Sequence, residues 1–217
     1  MVKELGKENT ILNKFVAELR DCRIQEDSMR FRKNLERVGE VMAYEISKTL
    51  KYKPVCVETP LGEAEVNLPC EEVVLATILR AGLPFHSGFL NFFDDSESAF
   101  VAAYRHYKKD GSFRIDIESV TTPSLVGKTL IIIDPMLATG VSMEKTYNAL
   151  VQMGGEPDFT HIASVIASED GIEHFKKYFP KDKARIWVAA VDQELTVKSY
   201  IVPGIGDTGD LAFGNKI

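Results

Sequence analysis

The sequence is poor in cysteine and in long apolar runs, and each shortage excludes a class of protein. Among its 217 residues are only three cysteines, Cys22, Cys56 and Cys70, and they share no CxxC spacing. Neither a disulfide framework nor a zinc cluster is indicated, and we expect reduced thiols that mostly pack in the interior. No stretch approaches the roughly 20 apolar residues of a membrane span, and the start MVKELGKENTILNKF lacks an apolar signal segment. We therefore expect a cytoplasmic protein without a membrane partner.

The sequence also lacks an excess of positive charge and several familiar catalytic motifs. Its formal net charge is −6, which gives no general attraction to nucleic acid or to anionic membranes. The GxxxxGK[ST] phosphate motif, the HExxH zinc motif and the GxSxG serine motif are absent. The four histidines show no paired-ligand spacing, and His161 is better explained as a core residue. Hydrolase functions are disfavoured, and no nucleic-acid partner is expected.

Nothing in the chain marks a domain boundary, since repeats, low-complexity tracts and flexible linkers are absent. We expect a single domain over residues 1–217, with a helical region over about 1–50, a core over about 70–192 and a tail over about 193–217. Within the first region, residues 27–50 carry apolar side chains at helical spacing and predict a long amphipathic helix.

The core region alternates predicted strands with predicted helices, which indicates an α/β fold. Short apolar runs predict buried strands at 72–79, 99–104, 129–134, 161–167 and 184–192. Helical patterns at 142–153 and 170–179 separate the last three strands, and this alternation predicts a parallel sheet. Residues 113–120, FRIDIESV, alternate apolar and charged side chains, as in an antiparallel strand with one face open to solvent. We interpret this segment as part of a projecting arm.

The stretch LIIIDPMLATGVS, residues 130–142, joins a predicted strand to a predicted helix. Asp134 stands at the carboxyl end of the strand, where ligands bind in open parallel sheets. The small residues from Ala138 to Ser142 can turn backbone N–H groups toward a phosphate at the helix start, and Thr139 adds a hydroxyl. Since an acid repels phosphate, Asp134 is better suited to sugar hydroxyls. The alternative, that Asp134 caps a turn and Ser142 caps the helix, stays open on this loop alone.

The segment DPMLATGVS resembles the ribose-phosphate motif of phosphoribosyltransferases, and its opening DPMLATG is similar to that motif in the uracil phosphoribosyltransferases in particular. Three further segments resemble parts of that family. ILRAGLPFHSG at 78–88 is similar to its pyrophosphate loop, AYRHY at 103–107 to its flexible arm, and YIVPGIGDTGDLAFG at 200–214 to its uracil-binding tail. A weaker likeness includes LRD at 19–21 and TPLGEAE at 59–65. Four motifs in the family's order are far more specific than one loop.

The resemblance implies transfer of ribose 5-phosphate from phosphoribosyl pyrophosphate (PRPP) to N1 of uracil, which yields UMP and pyrophosphate for pyrimidine salvage. It implies a phosphoribosyltransferase-type parallel-sheet core with a projecting β-arm and a small base-binding tail. It also implies Mg²⁺ bound through PRPP rather than through a site built by the protein. A homodimer or larger homo-oligomer is expected through the amino-terminal helix and the arm. GTP, an effector of some family members, is a candidate effector here.

The resemblance also assigns roles to residues. Catalysis is expected from Arg80, Arg105 and Asp134, because guanidinium groups can neutralise a departing pyrophosphate. The PRPP site is expected to comprise Arg80, Arg105, Asp134, Pro135, Met136, Leu137, Ala138, Thr139, Gly140, Val141, Ser142 and Asp207. The uracil site is expected to comprise Ile201, Gly206, Asp207 and Thr208, whose backbone groups can reject the amino group of cytosine. By position alone, Arg80 is a surface residue, Arg105 belongs to a solvated charge run and the tail is a glycine-rich turn.

Several positions depart from the family pattern near the proposed site. Val141 stands where the family has glycine, so either the loop uses ordinary backbone angles there or its grip on phosphate is reduced. His106, the segment 168–170 and Leu211 also differ. The departures at Val141, His106 and Leu211 favour a rival function, a non-catalytic sensor of PRPP, UMP or a purine nucleotide. The retained segment GIGDTGD disfavours it, and transfer to another nucleobase is the second rival.

Overall fold

The computed structural model describes residues 2–107 and 113–216, apart from the side chains at 105–107, 113 and 114. Its strands are β1 (Val2–Glu4), β2 (Tyr52–Thr59), β3 (Gly62–Pro69), β4 (Val73–Leu79), β5 (Glu97–Tyr107), β6 (Phe113–Thr121), β7 (Thr129–Ile133), β8 (Met136–Leu137), β9 (Phe159–Ser168), β10 (Ala184–Asp192), β11 (Glu194–Leu195) and β12 (Ile201–Val202). Its helices are α1 (Leu12–Arg20), α2 (Ser28–Ser47), α3 (Gly82–Leu90), α4 (Val141–Gly154), α5 (Glu169–Tyr178) and α6 (Thr208–Phe213), with a 3₁₀ turn at Leu5–Lys7.

A mostly parallel central sheet organises the fold, which confirms the predicted α/β class. Its strand order is β1–β10–β9–β7–β4–β5–β6, with β8 added beside β9. Neighbouring strands run parallel except for the antiparallel pair β5 and β6. Ile131 and Ile133 pack into the apolar cluster that holds α1, α2 and α3, whereas Leu130 and Ile132 pack against α4 and α5. Because both faces of the sheet are covered, its central strands are continuous apolar runs.

The segment 113–120 forms an antiparallel edge strand, as its alternation predicts. β6 pairs with β5 along its length, and the register shifts between Ala102 and Ala103. Ile115 is buried and its carbonyl accepts a 2.6 Å hydrogen bond from Lys145 Nζ of α4, whereas Glu118 faces solvent. This hydrogen bond therefore attaches the edge of the sheet to α4. The tip of the arm, including Lys108 and Lys109, lies outside the described residues.

The apolar patterns do not predict helices α1, α3 and α6, the hairpin of β2 and β3, or the short strands β1, β8, β11 and β12. The hairpin pairs from Tyr52 opposite Pro69 to Thr59 opposite Gly62, as a separate two-stranded sheet with most side chains exposed. The expectation of packed thiols is wrong, because Cys22, Cys56 and Cys70 are all exposed free thiols. In the described part of the chain, no helix is both long and apolar enough to cross a bilayer.

His161 is a core residue, as the sequence suggests. It lies in β9 and is 2% exposed, and its Nδ1 accepts a 2.9 Å hydrogen bond from Trp187 Nε1 in β10. Burial, with a smaller effect of the Arg185 charge, lowers the pKa of His161 to about 3. The ring is therefore neutral at physiological pH, with its Nδ1 fixed as an acceptor.

The long amphipathic helix α2 is fixed at its start and against α1 by polar contacts. The Asp27 side chain accepts hydrogen bonds from the backbone N–H groups of Met29 (3.0 Å) and Arg30 (3.1 Å), which caps the helix. Glu18 of α1 accepts from Arg30 Nη2 (2.8 Å) and Nε (2.9 Å) and from Asn34 Nδ2 (2.8 Å). These hydrogen bonds, first that from Arg30 and then that from Asn34, lower the pKa of Glu18 to about 2.

The lowered pKa predicts an acid-dependent loss of stability at the α1–α2 contact. Since the folded state holds Glu18 ionised, its stabilisation is complete above the ordinary pKa of 4.5 and disappears as the pH falls toward 2. Replacing Glu18→Gln should lower the midpoint of thermal unfolding at neutral pH by about 2–4 °C, the shift that about 1 kcal/mol produces in a chain of this size. This gap between parent and variant should shrink as the pH falls through that window.

Thermal unfolding followed by circular dichroism over a series of pH values measures the gap. Glu26→Gln is the matched control, because Glu26 is exposed and has no ion-pair partner among the described residues. A gap for Glu18→Gln that stayed constant from neutral pH down to about pH 2.5 would contradict the assigned titration.

Candidate functional site

A cleft of about 450 Å³ opens at the carboxyl edge of the sheet. It is lined by four parts of the chain that are far apart in sequence: the end of β4 with the turn after it, the paired strands β5 and β6, the loop between β7 and α4 with the start of that helix, and the tail. The predicted site residues that line it are Arg80, Asp134, Met136, Leu137, Ala138, Thr139, Gly140, Ser142, Asp207 and Thr208. Pro135, Val141, Ile201 and Gly206 belong to the same segments but do not line the cleft, and the side chain of Arg105 lies outside the described residues.

The loop after β7 is hydrogen-bonded to the neighbouring strand β9. The N–H of Asp134 donates to the carbonyl of Ala163 at 3.1 Å, and the carbonyl of Pro135 accepts from Val165 (2.9 Å) and Ile166 (3.1 Å). Asp134 therefore follows the strand end directly, at the position that the sequence predicts. It stands half-buried at the mouth of the cleft.

Gly140 supplies the turn at which the loop becomes α4. Its φ of +80° is a left-handed angle that favours glycine, whereas Val141 is the first helical residue and keeps an ordinary negative φ. Of the two interpretations of Val141, ordinary backbone angles are therefore correct. Ser142 is not the helix cap, since Gly140 holds that position and no described side chain bonds this end. The first N–H groups of α4 are thus free to bind an anion in the cleft.

The amino end of α5 supports this loop from the side opposite the cleft. Ser168 is fully buried; its hydroxyl donates to the carbonyl of Ala138 and accepts from the N–H of Gly171 at 2.9 Å. A Cβ at Gly171 would lie 2.4 Å from the Ala138 carbonyl oxygen and 2.6 Å from that of Leu137. Glycine is therefore required here for a close approach. The departure at Ser168 provides both a helix cap and an anchor for the loop.

Arg80 links the turn after β4 to the tail across the cleft. Its Nη2 lies 2.9 Å from Asp210 Oδ1, and both terminal nitrogens lie 3.4 Å from the carbonyl of Gly214. Its side chain is 37% exposed and lines the cleft, so Arg80 is not a free surface residue. A carboxylate is an anionic partner of the same general kind as a phosphate. The contact therefore shows that the Arg80 guanidinium, which lines the cleft, binds an anionic group beside it.

Asp207 has a structural role at the start of α6. Its Oδ1 accepts hydrogen bonds from the N–H groups of Gly209 and Asp210, both at 3.1 Å. Its other oxygen lies 3.6 Å from Lys216 Nζ, which also lies 3.8 Å from Asp210. Asp207 thus caps a helix and keeps one oxygen directed to a cation at the cleft.

The cleft is also lined by the polar side chains of Tyr104, Tyr200 and Lys216, which are not among the predicted site residues. Tyr104 and Tyr200 lie within the recognised arm and tail segments, whereas Lys216 lies outside them. Tyr104 lies in β5 and is 52% exposed. Lys216 follows the recognised tail motif, and a single lysine near its end carries no pattern. The resemblance leads us to expect arginine at position 211, which is leucine here. Lys216, five residues later in the sequence, is the only hint that a different cation takes that place.

The tail is fixed to the amino-terminal helix α1 through a partly buried ion pair. Arg20 donates to both oxygens of Asp192 at 2.8 Å and to the carbonyl of Gly204 at 3.0 Å, and Asp192 also accepts from the N–H of Gly204 at 2.8 Å. Burial alone would raise the pKa of Asp192, but the hydrogen bonds from Arg20 and Gly204 outweigh it and lower that pKa. The segment LRD therefore fixes the start of the glycine-rich turn.

The carboxylates of the cleft fit a magnesium ion that arrives with a ligand. Asp134 and Asp207 line the cleft, and oxygen donors are those that Mg²⁺ prefers. Among the described residues, no group of three or more potential ligands could hold a metal ion by itself. The donor set therefore suits an ion coordinated largely by a polyphosphate and water.

Comparisons with known proteins agree over almost the whole chain. A family model described as uracil phosphoribosyltransferase matches residues 7–215. The uracil phosphoribosyltransferase of Porphyromonas gingivalis is 56% identical over 216 residues, which cover 100% of this chain and 99% of that protein. The uracil phosphoribosyltransferase of Pyrococcus furiosus is 37% identical, over 97% and 89% of the two chains. The solved structure of protein AQ2163 from Aquifex aeolicus matches with a TM-score of 0.87 and 29% identity, over 99% and 98%.

The support of the loop by Ser168 predicts a measurable loss of stability when the hydroxyl is removed. Ser168→Ala leaves the buried Ala138 carbonyl and the Gly171 N–H without their partner, and should lower the free energy of unfolding by about 1–3 kcal/mol. Urea unfolding followed by tryptophan fluorescence measures it. Ser124→Ala is the matched control, because Ser124 is exposed and should change the value by no more than about 0.5 kcal/mol. Equal stability of both variants would refute the anchoring role.

Proposed function

Since the chain belongs to the uracil phosphoribosyltransferase family, we propose that its cleft transfers ribose 5-phosphate from PRPP to N1 of uracil and releases pyrophosphate. The observation that carries this proposal is the convergence of three elements on one cleft: an uncapped helix start, an arginine and a glycine-rich tail. These elements match the needs of the reaction, which are to bind the 5′-phosphate, to neutralise the leaving group and to hold the base.

The reaction breaks the bond between the anomeric carbon and pyrophosphate and forms a bond from that carbon to N1, which loses its proton. The carbon gains cationic character as pyrophosphate leaves, so alignment and exclusion of water matter more than a strong nucleophile. The first N–H groups of α4 and the hydroxyls of Thr139 and Ser142 bind the 5′-phosphate. Asp134, at the strand end, accepts hydrogen bonds from the ribose hydroxyls.

Arg80 binds the departing pyrophosphate in this proposal. Its guanidinium already bonds Asp210 at 2.9 Å, and a diphosphate that enters the cleft competes with that carboxylate for the same donors. Arg105 is the second cation, as the resemblance implies, carried on β5 beside the cleft. When bound, Mg²⁺ supplies further charge neutralisation of the diphosphate, with Asp134 and Asp207 as the carboxylates at hand.

The tail binds uracil through its backbone. The positive φ of Gly206 (+78°) and the cap at Asp207 set the direction of the N–H and C=O groups from Ile201 to Thr208. Arg20, through Asp192 and Gly204, fixes the turn within this segment. A backbone site of fixed geometry distinguishes the carbonyl of uracil from the amino group of cytosine, because a mismatched donor stays unpaired.

The non-catalytic sensor is the less favoured alternative. One of its supports, the substitution at Val141, loses force because the loop needs a left-handed angle at Gly140 and none at Val141. The second support, the loss of the family's arginine at Leu211, is offset by a different cation, Lys216, which lines the cleft. Activation by GTP, a homodimer built through α2 and the arm, the single-domain division and a cytoplasmic location stay predictions.

A direct assay separates the three functions. Purified protein with Mg²⁺, PRPP and uracil should form UMP and pyrophosphate in equal amounts, detected by chromatography, while cytosine, hypoxanthine and adenine give none. Removing Mg²⁺ with EDTA should abolish turnover, and adding it back should restore it. Binding of PRPP without any product would support the sensor, and turnover with another base in place of uracil would reassign the substrate.

The role of Arg80 predicts a large loss of activity without a large loss of stability. Arg80→Ala should lower kcat/KM for PRPP by about 100- to 1000-fold, because the leaving group loses a charged donor that acts in the transition state. Arg80→Lys should recover part of this activity. Arg23→Ala is the matched control, since Arg23 pairs with Asp21 at the surface, away from the cleft. An Arg80→Ala enzyme with the parent kcat/KM would remove Arg80 from the mechanism.

A further inference from the structure

His174, in α5, covers the outer side of the loop at its most constrained residue. A Cβ at Gly140 would lie 2.8 Å from His174 Cδ2 and 3.0 Å from His174 Cβ. The imidazole therefore occupies the space in which a side chain at position 140 would stand. Together with Gly171, one helical turn earlier, it forms the face of α5 that supports the loop from Leu137 to Gly140.

Glu144 places a negative charge on the same helical turn that is proposed to bind phosphate. Its N–H donates to the carbonyl of Gly140 at 3.0 Å, so it completes the first turn of α4. The positive end of the helix dipole attracts this carboxylate as it attracts a phosphate. A free Glu144 side chain would therefore compete with an anion at this end and repel it.

The imidazole of His174 holds this carboxylate. His174 Nε2 lies 2.6 Å from Glu144 Oε2, and among the described residues no other group bonds that carboxylate. One turn further along the two helices, the Tyr178 hydroxyl donates to Asn148 in a parallel contact. Neither His174 nor Glu144 lines the cleft, so any effect of the pair on a ligand there is indirect.

We propose that His174 is a positioning residue for phosphate binding, because its hydrogen bond holds the Glu144 carboxylate on the outer side of α4, away from the 5′-phosphate. This inference rests on the proposed function, since it takes the loop as the phosphate site. A restraining role differs from a packing role in its dependence on Glu144. If His174 acts by restraining a charge, the loss of phosphate affinity on removing its imidazole requires a charged side chain at Glu144.

Ribose 5-phosphate binding, measured by calorimetry without uracil or turnover, tests this dependence. His174→Ala should weaken binding about 5- to 10-fold, since the freed carboxylate is partly solvated and repels at reduced strength. The double variant His174→Ala, Glu144→Gln should return to within about twofold of the parent. Tyr178→Phe, which breaks the parallel contact without freeing a charge, is the matched control and should bind as the parent does.

His174→Phe separates restraint of the charge from packing and also serves if His174→Ala does not fold. A phenyl ring still covers Gly140 but cannot bond Glu144, so binding should weaken as in His174→Ala. In steady-state assays the loss should appear in KM for PRPP, with KM for uracil unchanged. Parent-like binding by His174→Phe, or a double variant as weak as His174→Ala, would overturn the proposal. A parent protein that binds ribose 5-phosphate but makes no UMP would instead refute the proposed function alone.

Discussion

The loop after β7 is held by hydrogen bonds to β9 and to Ser168, and the rest of the cleft depends on that attachment. The carbonyls of Pro135 and Ala138 are held by β9 and by Ser168, all on the side away from the cleft. The N–H groups at the start of α4 are left for a ligand. Because the loop is already ordered by the protein, a phosphate that binds there does not bear the entropic cost of ordering it.

The strands and helices of the sheet could be predicted because burial dictates their composition. A parallel strand covered on both faces is apolar throughout, as β7 is, and α2 shows helical spacing because one of its faces meets solvent. The hairpin of β2 and β3 is mostly exposed, so it has no continuous apolar run of the kind that marks a buried strand. Its signal is instead the alternation of Glu63, Glu65 and Asn67 with Ala64, Val66 and Leu68. Helix α3 is missed for the opposite reason, since it is buried on most of its surface and has no polar stripe.

The site residues that are contiguous in sequence could be predicted, whereas the contacts between distant residues could not. Asp134 and the loop up to Ser142 are contiguous, so a motif reveals them together. By contrast, the contact of Ser168 with Ala138 joins residues 30 positions apart, and no local pattern predicts it. Departures from a family pattern are also ambiguous in sequence alone: Ser168 proves to be a cap and an anchor, and Val141 an ordinary helical residue. The chemical roles assigned to Arg80, Arg105 and Asp134 stay predictions.

The ion pair between Arg20 and Asp192 has a consequence for how the protein is made. The two residues are 172 positions apart, and Gly204 is still further from Arg20. During translation, Arg20 leaves the ribosome long before either partner exists. The turn at Gly204 can therefore be completed only after synthesis of nearly the whole chain. Strands β2 to β9 all precede Asp192 in the chain, so this contact between the two ends of the polypeptide is among the last to form as the protein is made.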